Sequence, residues 1–236
     1  VLVSSVLFSN AHLVPDLGAV LVASRRAGAE LLVDAYHQLN VVPFSLAALG
    51  LEDAFVVGGG YKYCQLGEGN CFLRVPPGRE AMRPVVTGWY SEFARLSART
   101  AAEVPYGEGA ARWAGATYDP TSHYRAARVF EFFERQGLHP ERLREISRHQ
   151  VGLLAREFDA LDLDPGVITR DRTVPLERIG GFLALASVKA AELCGALRER
   201  DVLADPRGDA LRLGPAPYLS DEQLRAAIAG LGETVR

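Results

Sequence analysis

The sequence predicts an α/β fold, with a mainly parallel sheet in its first part and a smaller α/β unit in its last part. Short runs rich in Val, Leu and Phe between residues 1 and 75 are nearly continuous rather than alternating, which is typical of strands covered on both faces. Helix-like segments separate these runs. A length of 236 residues allows one or two domains, and we predict a boundary that separates residues 1–118 from residues 119–236.

The first part is predicted to alternate strands with helices. A helix over residues 15–28 is indicated by Pro15 near its start and Gly28 at its end. The other predicted elements are strands at 1–9, 30–34, 54–57 and 70–75 and a short helix at 44–49. Residues 76–120 read as irregular, and a connection of that length inside a compact chain is usually functional.

The last part opens with two predicted helices, over residues 121–136 and 140–161. Pro140 suits a first helical turn, and Leu143, Val151 and Leu154 lie roughly on one helical face. The remaining predicted elements are strands at 181–187, 202–204 and 210–213 and a helix at 188–200. A capping box formed by Ser220 and Gln223 predicts the start of a final helix.

Composition excludes several classes of function. The net charge is −3 with acids and bases interleaved, which argues against a nucleic-acid or membrane surface. No run approaches the roughly 20 apolar residues that span a bilayer, and residues 1–8 lack the basic start of a signal peptide. The three cysteines (Cys64, Cys71 and Cys194) form no CxxC pair, and the five histidines show no metal-ligand spacing. We therefore expect a cytoplasmic protein without a metal site.

A lysine and an acid follow two of the predicted strands. Asp34 ends the run Leu31-Leu32-Val33, and Lys62 follows the strand at 54–57 after Gly58-Gly59-Gly60. Ligands of parallel sheets gather at the carboxyl ends of strands. A lysine amine can form an imine with the aldehyde of pyridoxal phosphate, and an acid can keep the pyridine nitrogen protonated. An ordinary exposed lysine at a strand end has the same local pattern. We interpret the three glycines as allowing close backbone approach to the cofactor.

Four motifs in the same order resemble the kynureninase branch of the class V aminotransferase superfamily. They are Asp34-Ala35-Tyr36-His37, Tyr61-Lys62-Tyr63, Gly88-Trp89-Tyr90 and Arg212-Leu213-Gly214-Pro215-Ala216-Pro217. The resemblance implies pyridoxal-phosphate fold type I, with residues 1–118 forming the second half of the large domain and residues 119–236 forming linker helices and the small domain. It further implies that this chain corresponds to the C-terminal portion of a longer enzyme.

The resemblance also assigns roles to individual residues. Lys62 would bind the cofactor aldehyde and move the α-proton of the substrate, Asp34 would pair with the pyridinium nitrogen, and His37 would donate or accept a hydrogen bond near the cofactor. Arg212 would clamp the substrate α-carboxylate, for which a planar bidentate donor is suited.

Three further residues are predicted to contact the cofactor phosphate. Tyr61 and Trp89 can each donate a hydrogen bond to a phosphate oxygen. Thr117 resembles the Gly-Thr element that reaches the phosphate of a neighbouring subunit, although Tyr118-Asp119 follows it where the family usually has Pro-Pro. Core packing would equally explain the two aromatic residues, and turn formation would explain the threonine.

The resemblance implies a homodimeric pyridoxal-phosphate enzyme that acts on an amino acid. Its preferred reaction is the hydrolysis of L-kynurenine to anthranilate and L-alanine, a step of tryptophan catabolism. Gly88-Trp89-Tyr90-Ser91-Glu92-Phe93 lacks the histidine that often follows this motif in kynureninases. An aminotransferase, a β-lyase or a cysteine desulfurase on the same scaffold therefore stays open, as does an inactive fragment that needs a partner chain.

Overall fold

The computed structural model describes residues 1–98 and 105–236, and within these ranges it contains two four-stranded sheets. The first sheet consists of β1 (Leu2–Ser4), β2 (Leu32–Asp34), β3 (Phe55–Gly59) and β4 (Cys71–Arg74), in that spatial order. The β1–β2 and β2–β3 pairs are parallel, and β4 runs antiparallel to β3. The predicted mainly parallel sheet is thus confirmed, and the carboxyl ends of β1 to β3 lie at one edge.

The first strand is shorter than predicted. It ends at Ser4, after which the chain turns back through Ala11, whose φ is 62°, so that Val6 bridges Leu13 in an antiparallel sense. The apolar character of residues 6–8 had suggested a longer strand, and in the structure Val6 is fully buried while Phe8 is exposed.

Two helices accompany the first sheet. Helix α1 (Leu17–Arg26) begins after Asp16, whose side chain accepts a hydrogen bond of 2.8 Å from the backbone N–H of Ala19. The buried face of α1 packs with strand side chains in one hydrophobic cluster, whose fully buried members include Leu31, Val33 and Leu51. Helix α2 (Leu46–Leu49) is the short helix predicted near this position.

The connection between the two sheets is less irregular than predicted. Outside residues 99–104, it contains two 3₁₀ helices, at Trp89–Ala98 and Gly109–Trp113. Helices α3 (Thr121–Arg135) and α4 (Pro140–Ala160) follow, each within a residue or two of the predicted bounds. On the predicted apolar face of α4, Val151 and Leu154 are buried in the hydrophobic core of the second sheet, and Leu143 is also buried.

The second sheet is antiparallel throughout. It comprises β5 (Thr169–Arg170), β6 (Leu183–Ala186), β7 (Asp205–Arg207) and β8 (Ala210–Leu213), in the spatial order β5-β6-β8-β7. Helices α5 (Ala190–Arg198) and α6 (Asp221–Val235) cover it, and a short 3₁₀ helix at Leu176–Arg178 precedes β6. The predicted capping box of Ser220 and Gln223 is present at the start of α6.

The strand predicted at residues 202–204 is wrong, because the strand lies three residues later, at β7. Asp205 and Pro206 are poor strand formers in isolation, so the local pattern favoured the apolar residues before them. Since β7 is an edge strand, it tolerates a proline that has no N–H to donate.

Backbone contacts join the loop after β1 to the segment before β6. Gly180 donates a hydrogen bond of 2.7 Å from its N–H to the carbonyl oxygen of Ala11, and Leu13 donates one of 2.9 Å to the carbonyl of Arg178. These contacts connect the two sheets close to the predicted site, while the domain boundary near residue 118 stays a prediction. Among the described residues, no helix combines the length and apolarity required to cross a membrane.

Candidate active site

Asp34 and Lys62 are delivered to the same edge of the first sheet. Asp34 is the last residue of β2 and lies opposite Val57 of the parallel strand β3, and Lys62 follows the end of β3. The Asp34 carboxylate accepts a hydrogen bond of 2.9 Å from the backbone N–H of Tyr36, which fixes its direction in a tight turn. The parallel arrangement is therefore what brings the predicted acid and the predicted lysine together.

The amine of Lys62 lies 3.2 Å from Nε2 of His37 and 5.0 Å from the centre of the Tyr61 ring. Partial burial is the main cause that lowers the pKa of Lys62, and the positive charge of Arg212 lowers it further, whereas the charge of Asp34 acts in the opposite direction. A lowered pKa increases the share of the neutral amine, which is the nucleophilic form.

His37 is held neutral by its surroundings. Burial, followed by the charges of Lys62 and Arg212, lowers the pKa of His37 from 6.5 to about 4. A neutral ring whose Nε2 accepts a hydrogen bond from the Lys62 amine carries its own hydrogen on Nδ1. That Nδ1 is buried and has no hydrogen-bond partner in the described part of the chain. A buried donor without a partner is unfavourable, so a polar group that reached it would be stabilised.

Arg212 reaches the same region from the second sheet. Its side chain is 12% exposed, and its guanidinium carbon lies 5.1 Å from the centre of the Phe182 ring. One terminal nitrogen, Nη1, donates a hydrogen bond of 2.7 Å to the carbonyl oxygen of Phe8, and the other, Nη2, pairs with the carboxylate of Asp205. Burial lowers the pKa of Arg212 from its ordinary value.

Lys62, His37 and Arg212 line one cavity of about 660 Å³, whereas Asp34 is not part of its lining. Lys62 and His37 follow strands of the first sheet, Arg212 lies in β8 of the second sheet, and Phe182 directly precedes β6. The full lining comprises His37, Tyr61, Lys62, Tyr63, Gln65, Gly67, Phe182, Leu203, Ala204, Asp205, Arg212, Gly214, Pro215, Ala216 and Tyr218. A volume of this size suits a small organic ligand.

The donor set fits pyridoxal phosphate at several points. The cavity presents a partly desolvated lysine amine for an aldehyde, and Asp34 lies near enough for its charge to act on both Lys62 and His37. The partnerless Nδ1 of His37 is a further donor that a polar ligand group could use. Among the described residues, no group of three or more His, Cys, Asp or Glu side chains could hold a metal ion.

The three predicted phosphate ligands are placed differently. Tyr61 lines the cavity, whereas Trp89 and Thr117 are not part of its lining. Trp89 is 51% exposed, and its ring contacts Tyr90 and Phe93 at centroid distances of 5.6 and 5.9 Å. Thr117 lies exposed in the loop before α3. A role for Thr117 towards a neighbouring subunit, and a role for Trp89 at the phosphate, stay predictions.

The three glycines before Lys62 have a simpler explanation than cofactor approach. A Cβ on Gly58 would lie 2.6 Å from the Leu39 side chain, one on Gly59 would lie 2.5 Å from the Tyr36 ring, and one on Gly60 would lie 2.5 Å from Leu66. The space beside each glycine is thus filled by the protein itself. Internal packing therefore accounts for these glycines in the described chain, and close approach to the cofactor stays a prediction.

Sequence reasoning missed several residues of the cavity wall. Tyr63 directly follows Lys62, and burial raises its pKa to about 12. Its ring lies so close to Gly181 that a Cβ there would come within 2.5 Å of it. The adjacency of Tyr63 to Lys62 was a usable signal. Phe182, Asp205 and Tyr218 carry no local signal, because distant segments of the chain bring them to the cavity.

Comparisons with known sequences confirm the predicted resemblance. No family model matches the chain. It is 28% identical over 218 residues to a Bacillus subtilis protein named uncharacterized aminotransferase YcbU, and this covers 91% of this chain and 54% of that protein. It is 26% identical over 230 residues to a Bacillus cereus kynureninase, and this covers 91% of this chain and 49% of that protein. The chain therefore spans about half the length of these curated relatives.

Solved structures confirm the predicted fold. The chain matches an apo cysteine desulfurase from Thermococcus onnurineus NA1 with a TM-score of 0.79 at 14% identity, covering 99% of this chain and 59% of that chain. It matches an alanine–glyoxylate aminotransferase from Nostoc sp. with a TM-score of 0.69 at 18% identity, covering 100% of this chain and 61% of that chain. Identities this low establish the fold alone, which is pyridoxal-phosphate fold type I as in class V aminotransferases and desulfurases.

Proposed function

We propose that this chain carries the lysine and the carboxylate-binding arginine of a pyridoxal-phosphate-dependent enzyme that acts on an amino acid. The observation that carries the proposal is that the amine of Lys62 and the guanidinium of Arg212 line one cavity of about 660 Å³. Bound pyridoxal phosphate supplies an aldehyde for the lysine amine and a ring that accepts electrons from a substrate carbanion.

Each of the chain's own residues has a defined task in this proposal. Lys62 binds the cofactor and then moves the α-proton of the substrate, for which its lowered pKa suits it. Asp34 supplies the anion that keeps the pyridine nitrogen protonated, and His37 supplies a neutral ring for hydrogen bonding. Arg212 orients the substrate through its α-carboxylate. Tyr61, together with Trp89 and Thr117, is proposed to contact the phosphate.

The reaction that we prefer is hydrolysis of L-kynurenine, in which water adds to the side-chain ketone and cleavage of the Cβ–Cγ bond gives anthranilate and L-alanine. Two observations support it. The Bacillus cereus relative is a kynureninase. Four aromatic side chains, namely Tyr61, Tyr63, Phe182 and Tyr218, line the cavity and would pack against an aryl group.

Transamination is the second candidate, because the Bacillus subtilis relative is named an aminotransferase. A desulfurase that uses a cysteine of this chain has less support. Cys64, Cys71 and Cys194 all lie outside the cavity lining formed by the described residues, and burial raises the pKa of Cys64 to about 11, which disfavours its thiolate. We further propose a cytoplasmic homodimer, since isologous dimers are the commonest oligomers.

The covalent step can be tested cleanly because the sequence contains only two lysines, Lys62 and Lys189. The purified protein is incubated with pyridoxal phosphate, reduced with borohydride, digested and analysed by mass spectrometry. We expect the cofactor on the peptide that contains Lys62 and not on the one that contains the exposed Lys189. Lys62→Ala should remove the labelled peptide and Lys189→Ala should leave it, whereas equal labelling of both lysines would refute the assignment.

The reaction type is tested with product assays on the same protein. L-kynurenine and 3-hydroxykynurenine are supplied separately, and release of anthranilate or its hydroxylated form is followed by fluorescence. Hydrolysis of either substrate, lost in Lys62→Ala, supports the preferred reaction. Conversion of an amino acid to its keto acid without anthranilate release would instead favour the aminotransferase.

A further inference from the structure

Arg212 is held from two sides by acceptors that come from distant parts of the chain. Nη1 donates to the carbonyl oxygen of Phe8, in the loop after β1, at 2.7 Å. Nη2 pairs with the carboxylate of Asp205, in the edge strand β7. The ring of Phe182 lies 5.1 Å from the guanidinium carbon. The guanidinium is thus fixed on the cavity wall by contacts within the protein itself.

The position of Asp205 follows from strand register. Asp205 of β7 lies directly opposite Arg212 of β8 in an antiparallel ladder, so both side chains project from the same face of the sheet. Both residues line the cavity. The same Asp205 oxygen, Oδ2, lies 3.4 Å from Nε of Arg207, so one carboxylate serves two arginines.

Contacts that fix the guanidinium in this way are useful for an arginine that must bind a carboxylate. The Arg212 side chain is only 12% exposed, and its charge acts on Lys62 across the cavity. A nearly buried guanidinium without an anion would be strongly unfavourable. Guanidinium has five N–H donors, and the contacts with Phe8 and Asp205 use one donor on each terminal nitrogen, so three donors are not used by these two contacts.

We infer that Asp205 is a positioning residue for the substrate: its carboxylate holds the Arg212 guanidinium in the orientation that receives the substrate α-carboxylate. The inference rests on the proposed function, because it takes Arg212 as the carboxylate-binding residue. Asp205 acts through Arg212 and does not itself touch the reacting atoms. A purely structural ion pair would stabilise the sheet without affecting how the cavity discriminates between ligands.

The test compares two ligands that differ only in the group that Arg212 would recognise, L-alanine and L-alaninamide. Binding of each to the pyridoxal-phosphate-loaded protein is measured from the change in visible absorption. Wild-type protein should bind L-alanine more tightly than L-alaninamide. Asp205→Asn should reduce that preference about tenfold or more, because loss of a charge-assisted contact releases the guanidinium. Asp205→Glu should restore part of it, and binding of the amide should change little.

A matched control and a double variant separate positioning from general damage. Asp201→Asn changes an exposed aspartate four residues away, outside the cavity lining, and should leave the preference unchanged. Arg212→Lys should weaken the preference but keep part of it, because lysine retains the positive charge, and adding Asp205→Asn to it should cause little further loss, since both changes remove one interaction. Nitrogen-15 relaxation of the Arg212 side chain in cofactor-free protein should show greater mobility in Asp205→Asn.

Three outcomes would overturn the inference. The preference could stay at the wild-type value in Asp205→Asn, which would make the ion pair structural only. It could rise, which would mean that Asp205 competes with the ligand for Arg212. The loss of preference caused by Asp205→Asn could also add fully to the loss caused by Arg212→Lys in the double variant, which would mean that the two residues act independently. Failure of the proposed function looks different, because wild-type protein would then give no absorption change with either ligand and no labelling of Lys62.

Discussion

Acidification should destabilise the folded chain through His37. The folded protein holds the pKa of His37 at about 4, whereas the ordinary value, expected in the unfolded chain, is 6.5. Between these two values the unfolded state binds more protons, so the stability contributed by His37 is complete above pH 6.5 and is lost as the pH falls towards 4. If the whole difference reached the free energy of unfolding, it would amount to about 3.4 kcal/mol. Because the ring is only partly buried, solvent screening reduces this, and we expect about 1–2 kcal/mol.

The assay is urea unfolding of cofactor-free wild type and His37→Gln at several pH values between 7.5 and 4.5. Taking the difference between the two proteins at each pH cancels the titration of all other groups. We expect the free energy of unfolding of wild type, relative to that of His37→Gln, to decrease as the pH falls. The free energy of unfolding of His123→Gln, which changes an exposed site on α3, should follow that of wild type. A difference in the free energy of unfolding between wild type and His37→Gln that is constant over this range, or that grows at low pH, would refute the electrostatic explanation. Proton NMR gives a second check, since Lys62→Met removes a charge that lowers the His37 pKa and should raise its midpoint.

Three further predictions concern packing and capping. Leu211→Ala, at a fully buried position in the second core, should cost about 2–5 kcal/mol in urea unfolding, while Leu203→Ala, at a position that is 79% exposed, should stay within about 0.5 kcal/mol of wild type. Ser220→Ala removes the capping box of α6 and should cost about 1 kcal/mol by thermal denaturation. Gly181→Val places a Cβ within 2.5 Å of the Tyr63 ring and should weaken cofactor uptake, measured by absorption titration, and unchanged uptake would show that the Tyr63 position is dispensable.

The parallel part of the fold was accessible from the sequence because its strands are short apolar runs, although in the structure only β3 is buried along most of its length and Leu2 of β1 is exposed. Near-continuous apolar runs at Leu32–Asp34 and Phe55–Gly59 leave little other interpretation, and parallel pairing then places Asp34 and Lys62 at one edge. The placement of Asp34 and Lys62 therefore follows from the apolar pattern of β2 and β3 and from the parallel pairing of these two strands. The same reasoning found α4 and the capping box of α6, which are also determined by neighbouring residues.

The parts that were missed depend on contacts between distant residues. β7 contains Asp205 and Pro206, and only pairing with β8 makes that segment a strand. β5, with two residues, is too short to show a pattern of its own. The packing role of the glycines before Lys62 was missed because the side chains that fill the space beside them, Leu39 and Leu66 among others, cannot be located from sequence. Motif matching found Arg212 but could not show what holds it.

The separation between the lysine amine and the arginine guanidinium is set by contacts between the two sheets. Lys62 follows the first sheet and Arg212 lies in the second, and the Phe8 carbonyl bonds directly to Arg212. The Gly180 N–H bonds to the Ala11 carbonyl in the same region. The loop after β1 therefore helps to set the width of the cavity, because its Phe8 contacts Arg212 and its Ala11 contacts Gly180, which precedes β6. Short loops that join two sheets in this way transmit small backbone shifts directly to the site, since packed interiors deform little. Under the proposed function, substrate selectivity would accordingly depend on the groups that hold Arg212 as well as on Arg212 itself, namely the backbone carbonyl of Phe8 and the carboxylate of Asp205.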